Sequence, residues 1–198
     1  PDISQKNYGK DGSINEMAQM MLNLQNRDCL NINIVTPTHY IPHMILALDI
    51  AAEKGLNIPL VYNTSGYEKV EILQKLDGIV DIYLPDFKYA DGKKAARYSS
   101  GADKYPELAK KALLEMNRQV GVARPNSRGI MEKGLMIRHL VMPHNVSDTD
   151  KVIAWIAENL SIDTYLNLMS QYRPAYKARN YPKLSRRITR KEYKQAVK

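Results

Sequence analysis

Five short polar runs hold most of the side chains able to do chemistry. They are Thr36-Pro-Thr-His39, Asn63-Thr-Ser-Gly66, Pro85-Asp-Phe-Lys88, Arg138-His139 with Pro143-His-Asn145 beyond it, and Ser170-Gln-Tyr-Arg173. Asp86 and Lys88 lie two residues apart, so in extended chain both side chains point to one face. Such a pair can form a rim salt bridge worth ~0–1 kcal/mol, hold a cation, or grip a zwitterion by its two charges. Arg138 and His139 stand inside an apolar run and must face opposite ways. A guanidinium there needs a partner, either a ligand carboxylate matched by its planar fork or an acid of the chain itself. His39 and His43 have the four-residue spacing that can hold zinc on a helix. Pro42 lies between them and no His-Glu-x-x-His motif is completed, so no metal is expected. Cys29 has no second thiol and reads as a packed or loop cysteine.

The elements between these runs alternate. Strands are expected at 31–35, 59–62, 78–84, 134–142 and 164–169, from short apolar, β-branched-rich runs. Pro1 to Gly12 reads as irregular. Ser13-Ile-Asn-Glu16 is a capping box that opens a helix carrying Met17, Met21 and Leu24. Further helices are expected from Ile41 to Lys54, Tyr67 to Leu76, Tyr105 to Val120, and Ser147 to Leu160. A helical turn is expected over Gly92–Tyr98, a loop over Val122–Lys133, and a last helix capped by Thr189-Arg-Lys-Glu192. Strands separated by helices imply parallel pairing, because parallel neighbours need a crossover. A doubly wound sheet and a partial barrel both fit; the absence of Gly-x-Gly-x-x-Gly weighs against a dinucleotide site. In either fold the five polar runs follow the carboxyl ends of the strands, where parallel α/β folds bind ligands.

Composition sets the outer bounds. The 198 residues are 44% hydrophobic and 25% charged, which fits a globular chain of about one domain. No apolar run approaches the ~18 residues of a membrane span, no secretory leader is evident, and a cytoplasmic location is expected. A single cysteine excludes a disulfide framework or a several-cysteine metal site within this chain. The net charge of +8 is local: Arg173–Lys198 holds ten Lys or Arg against Glu192 alone, leaving about −1 on the first 172 residues. The organisation expected is therefore a domain over 1–172 and a basic tail with a short helix over 173–198. The tail admits nucleic acid or an anionic partner, but the scattered aromatics make no stacking platform and weigh against nucleic acid.

Taken together, several runs carry a family likeness. Asn31-Ile-Asn-Ile-Val-Thr-Pro-Thr-His39, Val61-Tyr-Asn-Thr-Ser-Gly-Tyr67, Asp81-Ile-Tyr-Leu-Pro-Asp-Phe-Lys88, Ile137-Arg-His-Leu-Val-Met-Pro143 and Gln171-Tyr-Arg-Pro-Ala-Tyr176 resemble the radical S-adenosylmethionine superfamily. Within it they are most similar to proteins related to pyruvate formate-lyase activating enzymes. The resemblance implies a partial (β/α)6 barrel of parallel strands, of which this chain would hold the second to sixth, the first strand being missing. In the family, a Cys-x3-Cys-x2-Cys loop after that first strand binds a [4Fe–4S] cluster. The cluster cleaves S-adenosylmethionine to a 5′-deoxyadenosyl radical, which attacks a protein or small-molecule substrate.

Those three cysteines are not in this chain, which is then expected to be a portion starting just downstream of the loop, or a natural radical-less relative. Alone it is not expected to cleave S-adenosylmethionine. The resemblance assigns ligand contacts to Thr36, Thr38 and His39, where the family has Gly-Gly-Glu against the ligand amino group. Asn63 and Thr64 stand where activating enzymes have Asp-Thr-Asn-Gly, near the ligand carboxylate and a cation. Asp86 and Lys88 match the family's Asp-x-Lys, and Arg138 and Gln171 would be pocket neighbours. The alternative from another class is an inactive α/β interaction module with a basic tail.

Overall fold

A computed structural model of the chain describes residue 9 and residues 11–198. The irregular opening expected over Pro1–Gly12 thus falls mostly outside the described residues. The chain forms two compact units, one of Pro1–Ile32 with Pro37–Ile58 and one of Asn33–Thr36 with Pro59–Lys198.

The first unit is a helix pair, α1 (Ile14–Gln25) against α2 (Ile41–Glu53). The capping box opens α1 as its sequence requires: the Ser13 hydroxyl accepts from the Glu16 amide at 3.2 Å, and the Glu16 carboxylate accepts from the Ser13 amide at 2.7 Å. Ala18, Met21 and Leu22 of α1 and Met44, Ala47 and Ala51 of α2 are buried, the apolar stripe of one helix covering that of the other. Gln25 closes the connection after α2, donating to the Gly55 carbonyl at 3.0 Å and accepting from the Asn57 amide at 2.7 Å.

The second unit is built on a five-stranded, all-parallel sheet in the order β1-β2-β3-β4-β5. The strands are β1 (Ile32–Val35, entering this unit at Asn33), β2 (Leu60–Thr64), β3 (Ile82–Pro85), β4 (Gly134–Leu140) and β5 (Tyr165–Met169). The helices are α3 (Val70–Gln74), α4 (Gly92–Tyr98), α5 (Tyr105–Val120), α6 (Thr149–Asn159) and α7 (Arg190–Ala196). Registry pairs Asn63 with Leu84, Tyr83 with Leu135, and Arg138 with Asn167. Asp86 and Arg138 make a further isolated bridge just past the end of β3.

The two faces of this sheet differ. Tyr62, Tyr83, Phe87, Leu135, Ile137 and His139 share one face and are all fully buried. Helix α5 packs on β3 and β4 there, and Trp155 of α6 meets the Phe87 ring edge-on at 5.6 Å. The other face carries Leu84, Asp86, Met136, Arg138 and Leu140, all of intermediate burial. The alternation runs from Leu84 through Tyr89, beyond the last ladder position of β3, so Asp86 and Lys88 stay on the half-open face. Among the described residues no helix is long and apolar enough to cross a membrane.

Local departures from the sequence reading have local causes. The helix expected from Tyr67 begins only at Val70, because Lys69 is extended (φ −83°, ψ 136°) and the Glu68 carboxylate is drawn under β2 onto the Thr64 hydroxyl at 2.5 Å. Strand β3 begins at Ile82 rather than Gly78, since Gly78 and Asp81 shape a turn whose Asp81 carboxylate accepts from the Leu60 amide at 2.8 Å. Helix α6, expected from Ser147, begins at Thr149 and has no side chain of its N-cap residue bonded to it. Asp148, at its N-cap, is left-handed and turns its carboxylate to Lys94, 2.6 Å away. Asn145 instead accepts from the Thr149 amide at 3.0 Å.

The basic C-terminal segment is anchored on this unit. The Tyr172 hydroxyl donates to the Leu184 carbonyl at 2.8 Å, and that of Tyr193 to the Leu168 carbonyl at 3.0 Å. Thr189 and Glu192 form the capping box read from the sequence, opening α7.

Candidate functional site

The half-open face ends in a row of polar side chains across three adjacent strands. Arg138, on β4, is at its centre. Its Nε donates to Asp86 Oδ1 at 2.9 Å, and its Nη2 donates to Asn63 Oδ1 at 2.8 Å. Nη2 also lies 2.8 Å from Asp86 Oδ1, and Lys88 Nζ sits 3.4 Å from Asp86 Oδ2. Asn63, Arg138, Asp86 and Lys88 thus form one continuous network, in which only Asp86 is acidic. Lys88 is its most open member at 38% side-chain exposure, against 24% for Arg138 and 19% for Asp86. Of the two partners open to Arg138, an internal acid or a ligand carboxylate, the structure supplies the acid. Excess positive charge and the flexible ammonium of Lys88 leave the row suited to a carboxylate-bearing ligand.

Backbone bonds hold these strand ends in place. The Asp86 amide donates to the Thr64 carbonyl at 2.9 Å, the Phe87 amide to the Arg138 carbonyl at 2.9 Å, and the Thr36 amide to the Asn63 carbonyl at 2.7 Å. Two residues that the sequence reading did not select do much of the positioning. Tyr105, from the first turn of α5, places its hydroxyl 2.9 Å from the Lys88 amide, which donates to it. The same hydroxyl is 2.9 Å from both the Ser65 and the Asp86 carbonyls. It joins the ends of β2 and β3, and burial raises its pKa so that it stays protonated. Gly66 is the second: at φ +78°, its missing side chain is what lets the Asp86 carbonyl approach.

Five other expected residues are not members of this hydrogen-bonded network. Thr64 follows Asn63 in an extended strand and therefore points to the opposite, buried face, toward Glu68. Thr36 is exposed and left-handed at φ 53° after β1. Gln171 is exposed and its amide donates to Met169 Sδ at 3.3 Å. Thr38 and His39 belong to the helix-pair unit, in a 3-10 turn where the His39 ring lies 4.6 Å from that of Tyr40.

His139 is part of the scaffold. A carbonyl can only accept, so the neutral ring donates from Nδ1 to the Phe87 carbonyl at 2.5 Å and accepts at Nε2 from the Thr149 hydroxyl at 2.9 Å. Burial holds its pKa below the ordinary histidine range. It ties β4 to the Asp86–Lys88 segment on one side and to α6 on the other.

Among the described residues no cluster of three His, Cys, Asp or Glu can hold a metal ion. Cys29 is the chain's single cysteine and lies in the helix-pair unit. The residues present do not fit a [4Fe–4S] cluster, which is held by several thiolates.

Compared with known proteins, the chain is 34% identical over 170 residues to the uncharacterized protein MJ0674 of Methanocaldococcus jannaschii. The match covers 84% of this chain and 45% of that protein, so the chain spans about half the length of the curated relative it matches. No family model matches the sequence. No solved structure matches it either.

Proposed function

We propose that this chain provides the S-adenosylmethionine-binding rim of an enzyme similar to the radical activating enzymes, in which the cluster ligands come from outside these 198 residues. The observation that carries the reading is the Asn63–Arg138–Asp86–Lys88 row. It sits at the carboxyl ends of three adjacent parallel strands, on the face that the helices leave half-open. An amino-acid ligand suits such a row: its carboxylate is drawn to Lys88, and its ammonium to the carboxylate of Asp86 or to nearby carbonyls.

The finer architecture proposed is a partial (β/α)6 barrel lacking its first strand. Strand order supports it. A doubly wound sheet reverses order at a switch point, whereas strands laid down consecutively with right-handed crossovers place their helices on one side. The difference in burial between the two faces agrees. This chain's share of the chemistry is binding and orientation. No step of bond cleavage is assigned to it, because its own residues do not fit the cluster.

The test is calorimetric titration of S-adenosylmethionine into the folded chain. Saturable binding is expected, weakened about tenfold or more in Lys88→Ala, since a hydrogen bond to a charged group is worth roughly 1.5–3 kcal/mol. No binding, or equal affinity in the variant, removes the assignment. The interaction-module alternative gains nothing from a freely projecting basic arm, because residues 173–198 are fastened through Tyr172, Glu192 and Tyr193.

A further inference from the structure

A second concavity lies away from the polar row. It has a volume of about 210 Å³ and is lined by Lys93, Lys94, Arg97, Tyr98, His144, Val146 and Lys183. Four of these seven residues are cationic and no carboxylate lines the space. Lys94 is engaged with Asp148 at 2.6 Å and with the Asn145 carbonyl at 3.2 Å. Lys93, Arg97 and Lys183 make no ion pair among the described residues and are exposed. Like charges gathered in a hollow repel one another, and an anion entering it relieves that repulsion.

The two walls are held to each other. Lys93 and Arg97 stand one turn apart on α4, so they share a helix face. Lys183 comes from the 3-10 turn Pro182–Leu184. The rings of Tyr98 and Tyr181, one from each wall, meet edge-on with centroids 5.4 Å apart. The Arg97 guanidinium lies 5.5 Å from the centre of the Tyr98 ring, which restricts a side chain that would otherwise sample many rotamers. Walls held at a fixed spacing, with the Arg97 side chain restrained, bind an anion with less ordering cost than cations on unconnected segments.

We propose that this hollow binds the phosphoryl groups of a small phosphorylated ligand. Its volume is below the ~300–1,000 Å³ of pockets that engulf a drug-sized molecule, so it suits one or two phosphoryl groups while the rest of the ligand remains outside. A guanidinium fork with the Lys93 ammonium on its own wall and that of Lys183 on the other matches tetrahedral, multiply charged oxyanions. The inference does not depend on the S-adenosylmethionine reading, since the two sites share no side chain.

The experiment is titration of the full chain with pyrophosphate, inorganic phosphate and sulfate at fixed ionic strength. One saturable pyrophosphate site per chain is expected, tighter than phosphate and tighter again than sulfate. Arg97→Gln and Lys183→Glu should each weaken it about tenfold or more. Lys75→Glu, outside the hollow, should not change it, and unchanged thermal midpoints verify that each variant is folded. Equal affinities for the three anions, or variants that bind like the parent, overturn the proposal. A single-stranded oligonucleotide arm distinguishes the remaining source of phosphate. Affinity that climbs with oligonucleotide length and is lost in the same variants, while pyrophosphate fails to bind, assigns the surface to nucleic acid and also overturns it.

Discussion

Arg138 and Asp86 stand 52 residues apart in the chain, yet the guanidinium Nε donates to the carboxylate at 2.9 Å where β3 and β4 end. Both groups are less than a quarter exposed, so each depends on the other to offset its lost hydration. Arg138→Ala leaves Asp86 and Asn63 short of a donor, and Asp86→Ala leaves the guanidinium beside Lys88 with no acid. Each variant should cost about 1–3 kcal/mol. In a urea double-mutant cycle the coupling should fall at roughly 0.5–3 kcal/mol. Strictly additive losses would mean that the pair behaves as a solvated rim contact.

Tyr105 and Gly66 set the spacing of the strand ends on which the row stands. Tyr105→Phe removes the one hydroxyl that accepts from the Lys88 amide and reaches the Ser65 and Asp86 carbonyls. The groups left behind are part-buried, and the expected loss is about 1–3 kcal/mol. Gly66→Ala adds a Cβ against the Asp86 carbonyl at a left-handed φ. It should weaken binding at Lys88 more than it lowers stability, because the displaced backbone carries Asp86 itself. A melting midpoint and a ligand affinity both equal to the parent's would remove Gly66 from a positioning role.

Much of this architecture is visible in the sequence, and what is not has a physical reason. Both capping boxes, Ser13–Glu16 and Thr189–Glu192, form as read, because a cap is a contact within four residues. Helices α4 and α5 have the bounds that their punctuation implies. Parallel pairing in sequence order follows from alternation. The same-face placement of Asp86 and Lys88, and the opposite placement of Arg138 and His139, follow from a two-residue period. The partners of Arg138 lie 52 and 75 residues away, and no spacing rule reaches that far. Tyr105 reads only as the first turn of a helix, so its hydroxyl's role has no local signal. The shortened α3 depends on Glu68 turning inward, which a helix pattern does not encode.

His139 predicts a pH dependence with a definite sign. Its pKa is held below the ordinary value near 6.5 by burial, while the Phe87 carbonyl and the Asp86 charge oppose the shift. Between the folded and unfolded values, the unfolded chain binds a proton that the folded chain does not. Stability therefore falls as pH drops below about 6.5, at up to ~1.4 kcal/mol per pH unit from this group. His139→Gln, which offers an amide to the same partners, should flatten the curve between pH 7.5 and 5.5 in urea titrations, whatever it does to absolute stability. An unaltered slope would assign the acid sensitivity to other groups.

The C-terminal segment should loosen when Glu192 loses its charge. Its carboxylate accepts from Arg186 through Nη1 and Nη2 at 2.8 Å each, from the His144 amide at 2.8 Å, and from the Thr189 amide at 2.7 Å. Those bonds, with Arg186 first, hold its pKa well below the ordinary carboxylate range. The stabilisation is therefore complete above about pH 4.3 and is lost as pH falls from there toward the folded value. Glu192→Gln imitates the protonated form at neutral pH. Hydrogen exchange should then show α7 opening about tenfold more often or beyond, since bonds to a charged acceptor are worth roughly 1.5–3 kcal/mol. Exchange in β3 and β4 should hold steady, because the Tyr172–Leu184 bond lies outside α7 and does not pass through Glu192. Protection in α7 that does not change would show that the two tyrosines alone fix this segment and that the Arg186–Glu192–His144 contacts ride on a helix already in place.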